Sequence, residues 1–513
     1  MSIDQKNNLF HLVKSLTKSE KRQFKLFAGR LEGNSKSKFI ALFNLLDKMK
    51  IYDENEVLKK TEISKAQLSN SKANLYRQIL ISLRLTPQQQ TTRILIREQL
   101  DFATILYNKG LYKQSLKILD KAKNLAMENN ENNIAFEIVE FEKIIETQYI
   151  TRSMFSRADN LAVTAKELSI KNVLASKLSN LSLQLYSFLL KNGYAKNEDD
   201  YVKTRTYFYY HMPSFEIEEL GFREKLYLNM AQLWYSFIIQ DFRSSYKHAS
   251  KWVDLFTEYP KMIGENPVFF LKGNHYLLEA LYFLRYPTKF NEVLEAFKTA
   301  TQNENFVLND NTRVLRFLYT RYNEINLHFL RGSFQKGIDA IPEIAEEMEE
   351  MRGKIDEHHV MVFYYKFACL HFGDDDYEMC IFYLDKIVTN RELGMREDLL
   401  CYARILRLIS HYELGKDEHI ESLIRSTFKF LLKMNDMHRV QAEIIVFLRS
   451  LNNIYPHELK GAFKSLYDKL KQLEDHPFEK RSFLYLDILS WLESKIKGRT
   501  IQEVVVEKAR LMK

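Results

Sequence analysis

Three cysteines, Cys369, Cys380 and Cys401, are all that the chain has in 513 residues. An odd number without the close spacing of metal ligands argues against a disulfide framework and a zinc site, and points to a reducing compartment. Glycine and proline are also scarce, at 15 and 8. A fold of tight hairpins and β-turns needs more of both, so long helices joined by short turns are expected. No run of about 18 apolar residues occurs. Met1-Ser2-Ile3-Asp4-Gln5-Lys6 lacks the apolar stretch of a secretory signal, so a cytoplasmic protein without membrane partners is expected. Nor is there a Gly-x-Gly-x-x-Gly loop, a Gly-x-x-x-x-Gly-Lys-Ser/Thr loop or a Gly-x-Ser-x-Gly elbow. Nucleotide hydrolysis and α/β-hydrolase chemistry thereby lose their usual signatures. The expectation is a protein that is not an enzyme, with no cofactor, no metal and no small-molecule substrate.

What is present is globular: 46% hydrophobic residues with 28% charged. The 35 Phe and 29 Tyr supply bulky side chains that can interlock successive helices. Charge is uneven. Residues 1–96 hold 18 Lys plus Arg against 8 Asp plus Glu, about +10 of a formal total of +8, so the remainder sums to about −2.

Residues 1–95 read as a small basic helical domain. Thr17-Lys18-Ser19-Glu20 has the form of a capping box and opens a helix to Gly29, with Phe24 and Phe27 inward and Lys18, Lys21, Arg22 and Lys25 outward. Further helices are expected over 39–49 and 54–61. Ser64-Lys65-Ala66-Gln67 is a second capping box and starts a long helix to about Leu85. Leu68, Leu75, Tyr76, Ile79 and Leu83 form its inward face, while Lys65, Gln67, Asn70, Ser71, Asn74, Arg77 and Gln78 lie along its polar side. Short helix, three-residue turn and longer amide-rich helix is a helix-turn-helix layout. Asn and Gln can pair bidentately with adenine, and Lys or Arg can hold phosphates. Thr86-Pro87 and the polar run after it mark a boundary near residue 95.

From Arg97 to Glu128 two amphipathic helices meet at a Gly turn. Phe102, Ala103, Leu106 and Tyr107 recur at helical spacing before Asn108-Lys109-Gly110, and Tyr112, Ser115, Leu116, Leu119 and Ala122 form one stripe after it. In its large-small-large order, its turn Gly110, Tyr112 and the small Ser115 and Ala122, this unit resembles a tetratricopeptide repeat. It lacks the repeat's usual Trp and closing Pro and reads as degenerate. A column of residues extends the pattern at about 43 residues: Ser115, Ala158, Ser245, Val293, Gly337, Cys380 and Ile420, with one unit hidden near Val202 after Gly193. His328-Phe329, His371-Phe372 and His411-Tyr412, followed by Gly332, Gly373 and Gly415, repeat in step, and Pro342 is expected to kink its unit or make it start late. The resemblance implies an all-α fold, a right-handed α–α superhelix of about eight hairpins over 96–455, with helices in 456–513 capping its far end.

Glu357-His358-His359 is the one dense cluster of potential metal ligands, but neighbouring helical side chains diverge by about 100°, so a hairpin surface is expected there. Glu343, Glu346, Glu347, Glu349 and Glu350 read as a solvated acidic run, and the recurrent His as packing at turns. In the tetratricopeptide family, an Asn pair on the first helix of a unit grips peptide backbone. The resemblance places that role on Asn323 and Asn326, with Arg313, Arg316 and Arg321 nearby for acidic groups. Glu324 departs from the family pattern, falling where a buried aliphatic residue is usual.

Two functions follow as expectations. The first is a non-enzymatic scaffold that binds a protein or peptide on the concave face of the repeats. The alternative is a nucleic-acid-binding regulator acting through residues 1–95, with the repeats as a sensor or oligomerisation domain. That order of parts, and its charge, looks like bacterial regulators that carry a helix-turn-helix ahead of tetratricopeptide repeats.

Overall fold

The computed structural model describes residues 8–30, 35–61, 63–86, 91–148, 157–303, 306–389, 397–415, 420–434, 439–450, 454–455, 457–480, 482–485 and 487–511. Every regular element among them is a helix, and no strand occurs. The chain divides into two compact units, 1–165 and 166–513. Of the expected boundary near residue 95, Pro87 to Gln90 fall outside the described residues.

The first unit opens with α1 (Asn8–Ser15), α2 (Lys18–Gly29), α3 (Ser35–Lys48), α4 (Glu54–Lys60) and α5 (Lys65–Arg84). One apolar cluster from Leu9 to Ile79, centred on Val13, Phe24, Leu42, Phe43, Val57 and Leu75, holds them together. Both capping boxes form. Thr17 and Glu20 exchange bonds at α2, and Gln67 Oε1 accepts the Ser64 amide at 3.4 Å at α5. These bonds satisfy amides that have no partner in the first turn of a helix. The unit continues with α6 (Thr92–Asn108), α7 (Tyr112–Glu128), α8 (Asn132–Gln148) and the start of α9 (Arg157–Asn192).

Between 157 and 192 there is neither Gly nor Pro, and α9 runs uninterrupted for 36 residues. It joins what the column separates into the second helix of one hairpin and the first of the next. The hidden unit is therefore completed by the short α10 (Glu198–His211), after a left-handed Gly193. Ala158 is exposed, with Leu161, Ala165 and Leu168 buried instead, so the column is out of register there.

The second unit then alternates first and second helices: α11 (Phe222–Ile238) and α12 (Phe242–Glu258), the short α13 (Met262–Glu265), α14 (Pro267–Phe283) and α15 (Pro287–Gln302), and α16 (Asp310–Arg331) followed by α17 (Phe334–Asp339) and α18 (Ile341–Glu350). The break at Ala340 lies just before Pro342, which cannot donate to the turn behind it. Next come α19 (Glu357–Gly373), α20 (Tyr377–Val388), α21 (Glu397–Glu413), α22 (Ile420–Met434), α23 (Arg439–Ser450), α24 (Leu459–Leu473), α25 (Ser482–Tyr485), α26 (Ile488–Lys497) and α27 (Ile501–Leu511).

The hairpins share a turn more than a sequence. A residue with positive φ stands at Gly193, Gln240, Arg285, Gly332, Asp375 and Gly415, spaced 40 to 47 residues apart. At Asp241, Tyr286, Ser333 and Asp376 the next amide bonds to the carbonyl five residues back, as Leu111 does after Gly110. Three of these turns carry a non-Gly residue and are invisible to a search for glycine. Gly373 is not a turn residue. It ends α19, where a Cβ would lie 2.6 Å from the Phe334 ring. Counting from the turns also corrects one position of the column. Phe290, fully buried, is equivalent to Ser115, and Val293 is only half-buried. Ser115, Ser245, Gly337 and Cys380 do occupy the close approach. Ser115 Oγ donates to the Ala103 carbonyl at 2.8 Å, and a Cβ on Gly337 would lie 2.6 Å from Leu370. The side chain of Ile420 lies outside the described residues.

The C-terminal helices do more than cover the last hairpin. Trp491 is fully buried, and its Nε1 donates to Glu413 at the end of α21, which also pairs with Lys495. Helix α27 folds back onto α16. Val505 and Val506 approach Gly332 so closely that a Cβ there would stand 3.0 to 3.2 Å from them. Expected helical bounds at Pro456 and at Lys513 fall outside the described residues.

Candidate functional sites

In the first unit, the apolar stripe of α5 (Leu68, Leu75, Ile79) locks the helix into the domain core and turns its opposite side outward. Lys65, Gln67, Asn70, Asn74 and Arg77 are exposed and Ser71 is half-buried. Apart from the cap bond of Gln67, none of these six side chains has a hydrogen bond or ion pair within the described residues. The short α4 precedes α5 across residues 61–64, with Asp53 capping it through the amides of Asn55 and Glu56. Exposed amides and cations thus stand at steps of three and four along α5, with their donors and acceptors open to water.

The residues expected to face a partner in the repeats are placed differently. Asn323 is 0% exposed, its Nδ2 donating to the Tyr319 carbonyl at 2.7 Å and facing His275 Nδ1 at 3.3 Å. Asn326, 7% exposed, donates to Asn323 Oδ1 and accepts from Lys366 Nζ at 2.5 Å. Arg321 is enclosed by carboxylates, with Nε and Nη2 on Glu347 at 3.0 and 2.6 Å, Nη2 also on Glu343, and Nη1 on Glu324 at 3.0 Å. Arg316 donates to the Thr301 carbonyl, and the exposed Arg313 lies 3.7 Å from Asp310. Glu324 faces outward, bridging Arg321 and Lys298, so the polar face of α16 knits α15, α16 and α18 together. Two of the five acids expected to be solvated, Glu343 and Glu347, have this structural partner.

Around the Asn pair lies a group that sequence reading missed. Lys366 on α19 is half-buried, with Tyr322 and Phe329 rings 5.7 Å from its ammonium and no carboxylate within salt-bridge distance among the described residues. Burial pushes it down to about 8. His275, stacked on Tyr319 at 4.3 Å, is pushed down to about 3, by burial first and then by Lys366, His359 and Lys272. The only signal in the sequence was a Lys at a step of seven from His359 on a largely apolar helix.

Glu142 was missed as well. It follows Ile134 and Ile138 on the buried stripe of α8, and a carboxylate at that step was the available clue. Its side chain is 0% exposed, 2.7 Å from Lys123 on α7 and 3.5 Å from Arg157 at the start of α9. Burial raises it to about 7, partly offset by Lys123 and reinforced by a shared hydrogen bond with Asp120. Burial also pushes Asp120 up, but the bonds from Glu142 and Lys123 outweigh that and leave it below the ordinary carboxylate value.

Two of the three recurrent histidines clip their hairpin turns: His328 Nδ1 lies 2.8 Å from Ser333 Oγ, and His371 Nδ1 lies 3.0 Å from Asp376. His359 is held by Asp356 at 2.7 Å, and its ring centroid is 5.5 Å from that of His358. Among the described residues no group of three or more His, Cys, Asp or Glu is placed to hold a metal, and no helix is long and apolar enough to cross a membrane.

The fold defines the class, an all-α protein whose helices pack against their neighbours in two compact units. No family model matches the chain, and no curated protein or solved structure matches it.

Proposed function

We propose that the chain is a non-enzymatic, cytoplasmic nucleic-acid-binding regulator. In it α4 and α5 act as a helix-turn-helix-like reader, and the hairpins form a right-handed, tetratricopeptide-like superhelix that serves as a sensor or joins subunits. The observation that carries this reading is the polar side of α5, where Lys65, Asn70, Asn74 and Arg77 are exposed and have no hydrogen bond or ion pair among the described residues. Amides at that spacing can pair with base edges while the flanking cations hold phosphates. The test is fluorescence anisotropy of labelled DNA and RNA duplexes with the full chain and with an Asn70→Ala, Asn74→Ala, Arg77→Ala variant. Affinity should fall with rising salt, and the variant should lose at least about tenfold. Wild-type binding that the variant reproduces sinks the assignment to α5.

A second reading, a scaffold for a protein or peptide on the inner helices of the superhelix, draws on Lys366, which bonds to Asn326 and has no carboxylate within salt-bridge distance among the described residues. In that case Lys366→Met, and not the α5 variant, abolishes capture of peptides from a displayed random library. Unchanged capture by Lys366→Met removes the support.

A further inference from the structure

We infer that α2 carries a phosphate-holding face, built from Lys18, Arg22 and Lys25 with Lys21 beside them, that takes the sugar-phosphate backbone of a nucleic acid; this rests on the nucleic-acid reading above.

The sequence places four cations at steps of three and four, and the structure turns them all to one side. The Thr17–Glu20 box fixes the first turn of α2, and the buried Phe24 and Ala28 set its rotation. Lys18, Lys21, Arg22 and Lys25 then line an open hollow of about 470 Å³ together with Leu26. The acids nearby are already engaged. Glu20 is held by the cap at Thr17. Asp47, at the end of α3, takes Lys21 on its carboxylate at 2.7 Å and Lys14 of α1 on its carbonyl at 2.6 Å. Lys18, Arg22 and Lys25 have no carboxylate within salt-bridge distance among the described residues, and Lys48 and Lys50, both exposed, follow Asp47 in the chain. Helices α1 and α2 thus bring Lys14 and Lys21 to the end of α3, where the one carboxylate that answers them is Asp47.

A stripe from residue 18 to 25 is roughly 10 Å long on a helix. That matches the rise of about three phosphates along one strand. An anionic membrane offers phosphates too, but a helix that lies in a bilayer needs an apolar face to bury, and the apolar side of α2 is turned into the domain core. Leu26, at 61% exposure, is the one large apolar side chain left outside on α2.

The experiment compares three proteins by anisotropy on two labelled duplexes of different sequence across a salt series: wild type, the Lys18→Ala, Arg22→Ala, Lys25→Ala variant, and the α5 variant above. Circular dichroism melting confirms that each is folded. The α2 variant should weaken both duplexes equally and lower the slope of log affinity against log salt by about 3, one for each phosphate no longer held. The α5 variant should lower that slope by about 1 and erase the difference between the duplexes. A Lys18→Arg, Lys25→Arg protein should keep the wild-type slope. Wild-type binding with an α2 variant of unchanged affinity and slope overturns the inference and leaves the reading of α5 intact. No binding by the wild type at any salt overturns both. Binding to phosphatidylserine vesicles that needs Lys18, Arg22 and Lys25, with duplex binding that does not, also overturns it.

Discussion

Helices α5 and α16 carry nearly the same polar alphabet, Asn70, Asn74 and Arg77 on one and Arg321, Asn323 and Asn326 on the other, and the fold uses them in opposite ways. On α5 the stripe lies over a core that fills only the opposite side, and apart from the cap bond of Gln67 its side chains have no hydrogen bond or ion pair among the described residues. On α16 other helices of the second unit stand on more than one side, supplying His275, Glu343, Glu347 and Lys366 as partners. An Asn at helical spacing reports what it can bond. Whether the bond is made to the chain or left for a ligand depends on how many helices enclose it.

If enclosure is the difference, the effects of substitution should rank with it. The largest is expected at Glu142, a charged group with no exposed side-chain surface. Its folded value is raised to about 7 from an ordinary 4.5. The stability it contributes is therefore full below about pH 4.5, where both states are protonated, and disappears as pH rises to about 7. Glu142→Gln mimics the protonated form, so its advantage over the wild type should grow by up to about 3 kcal/mol between about pH 4.5 and pH 8. Urea unfolding at both pH values measures it, and parallel pH dependences for the two proteins contradict the buried pair.

Next comes Asn323, enclosed but neutral. Asn323→Leu keeps the size and removes the bonds to Tyr319 and His275, and a loss of about 2 kcal/mol is expected in the same unfolding measurement. A neutral outcome would return the Asn pair to the surface of a binding groove. Arg321, 18% exposed, ranks third. Arg321→Ala should destabilise by about 1 kcal/mol, less in high salt, because partly exposed ion pairs are screened. The smallest effect belongs to α5, where Asn70→Ala, Asn74→Ala and Arg77→Ala together should leave the melting temperature unmoved. A clear drop would mean that the stripe has a structural partner and that the two helices are alike after all.

Much of the local structure was legible in the chain. Both capping boxes, the Gly110 hairpin, the break at Pro342 and the small residues Ser115, Ser245, Gly337 and Cys380 are governed by residues a few positions apart. The turns at Gln240 and Arg285 were not legible, because a long side chain in the left-handed region carries no sequence mark, and at Asp375 three consecutive Asp residues left the turn position open. Val293 was chosen in place of Phe290. Two apolar stripes were available on α15, and only the packed neighbours choose between them.

The exposed set on α5 was readable because one buried stripe fixes the rotation of a helix, and its other side then faces water by default. Lys366, His275 and Glu142 could not be read as clusters, since their members lie up to 91 residues apart.

Sequence by itself determined that this protein is helical, where α2, α4, α5 and the Gly110 hairpin start or stop, and that its positive charge gathers in the first 96 residues, because propensity, capping and composition act over a few positions or over none. Tertiary structure decided that α27 returns to α16 and which Asn and Arg side chains have no bond among the described residues. Those outcomes depend on distances between residues remote in the chain, and a polar group keeps its bonding capacity for a partner only where no neighbouring helix has already taken it.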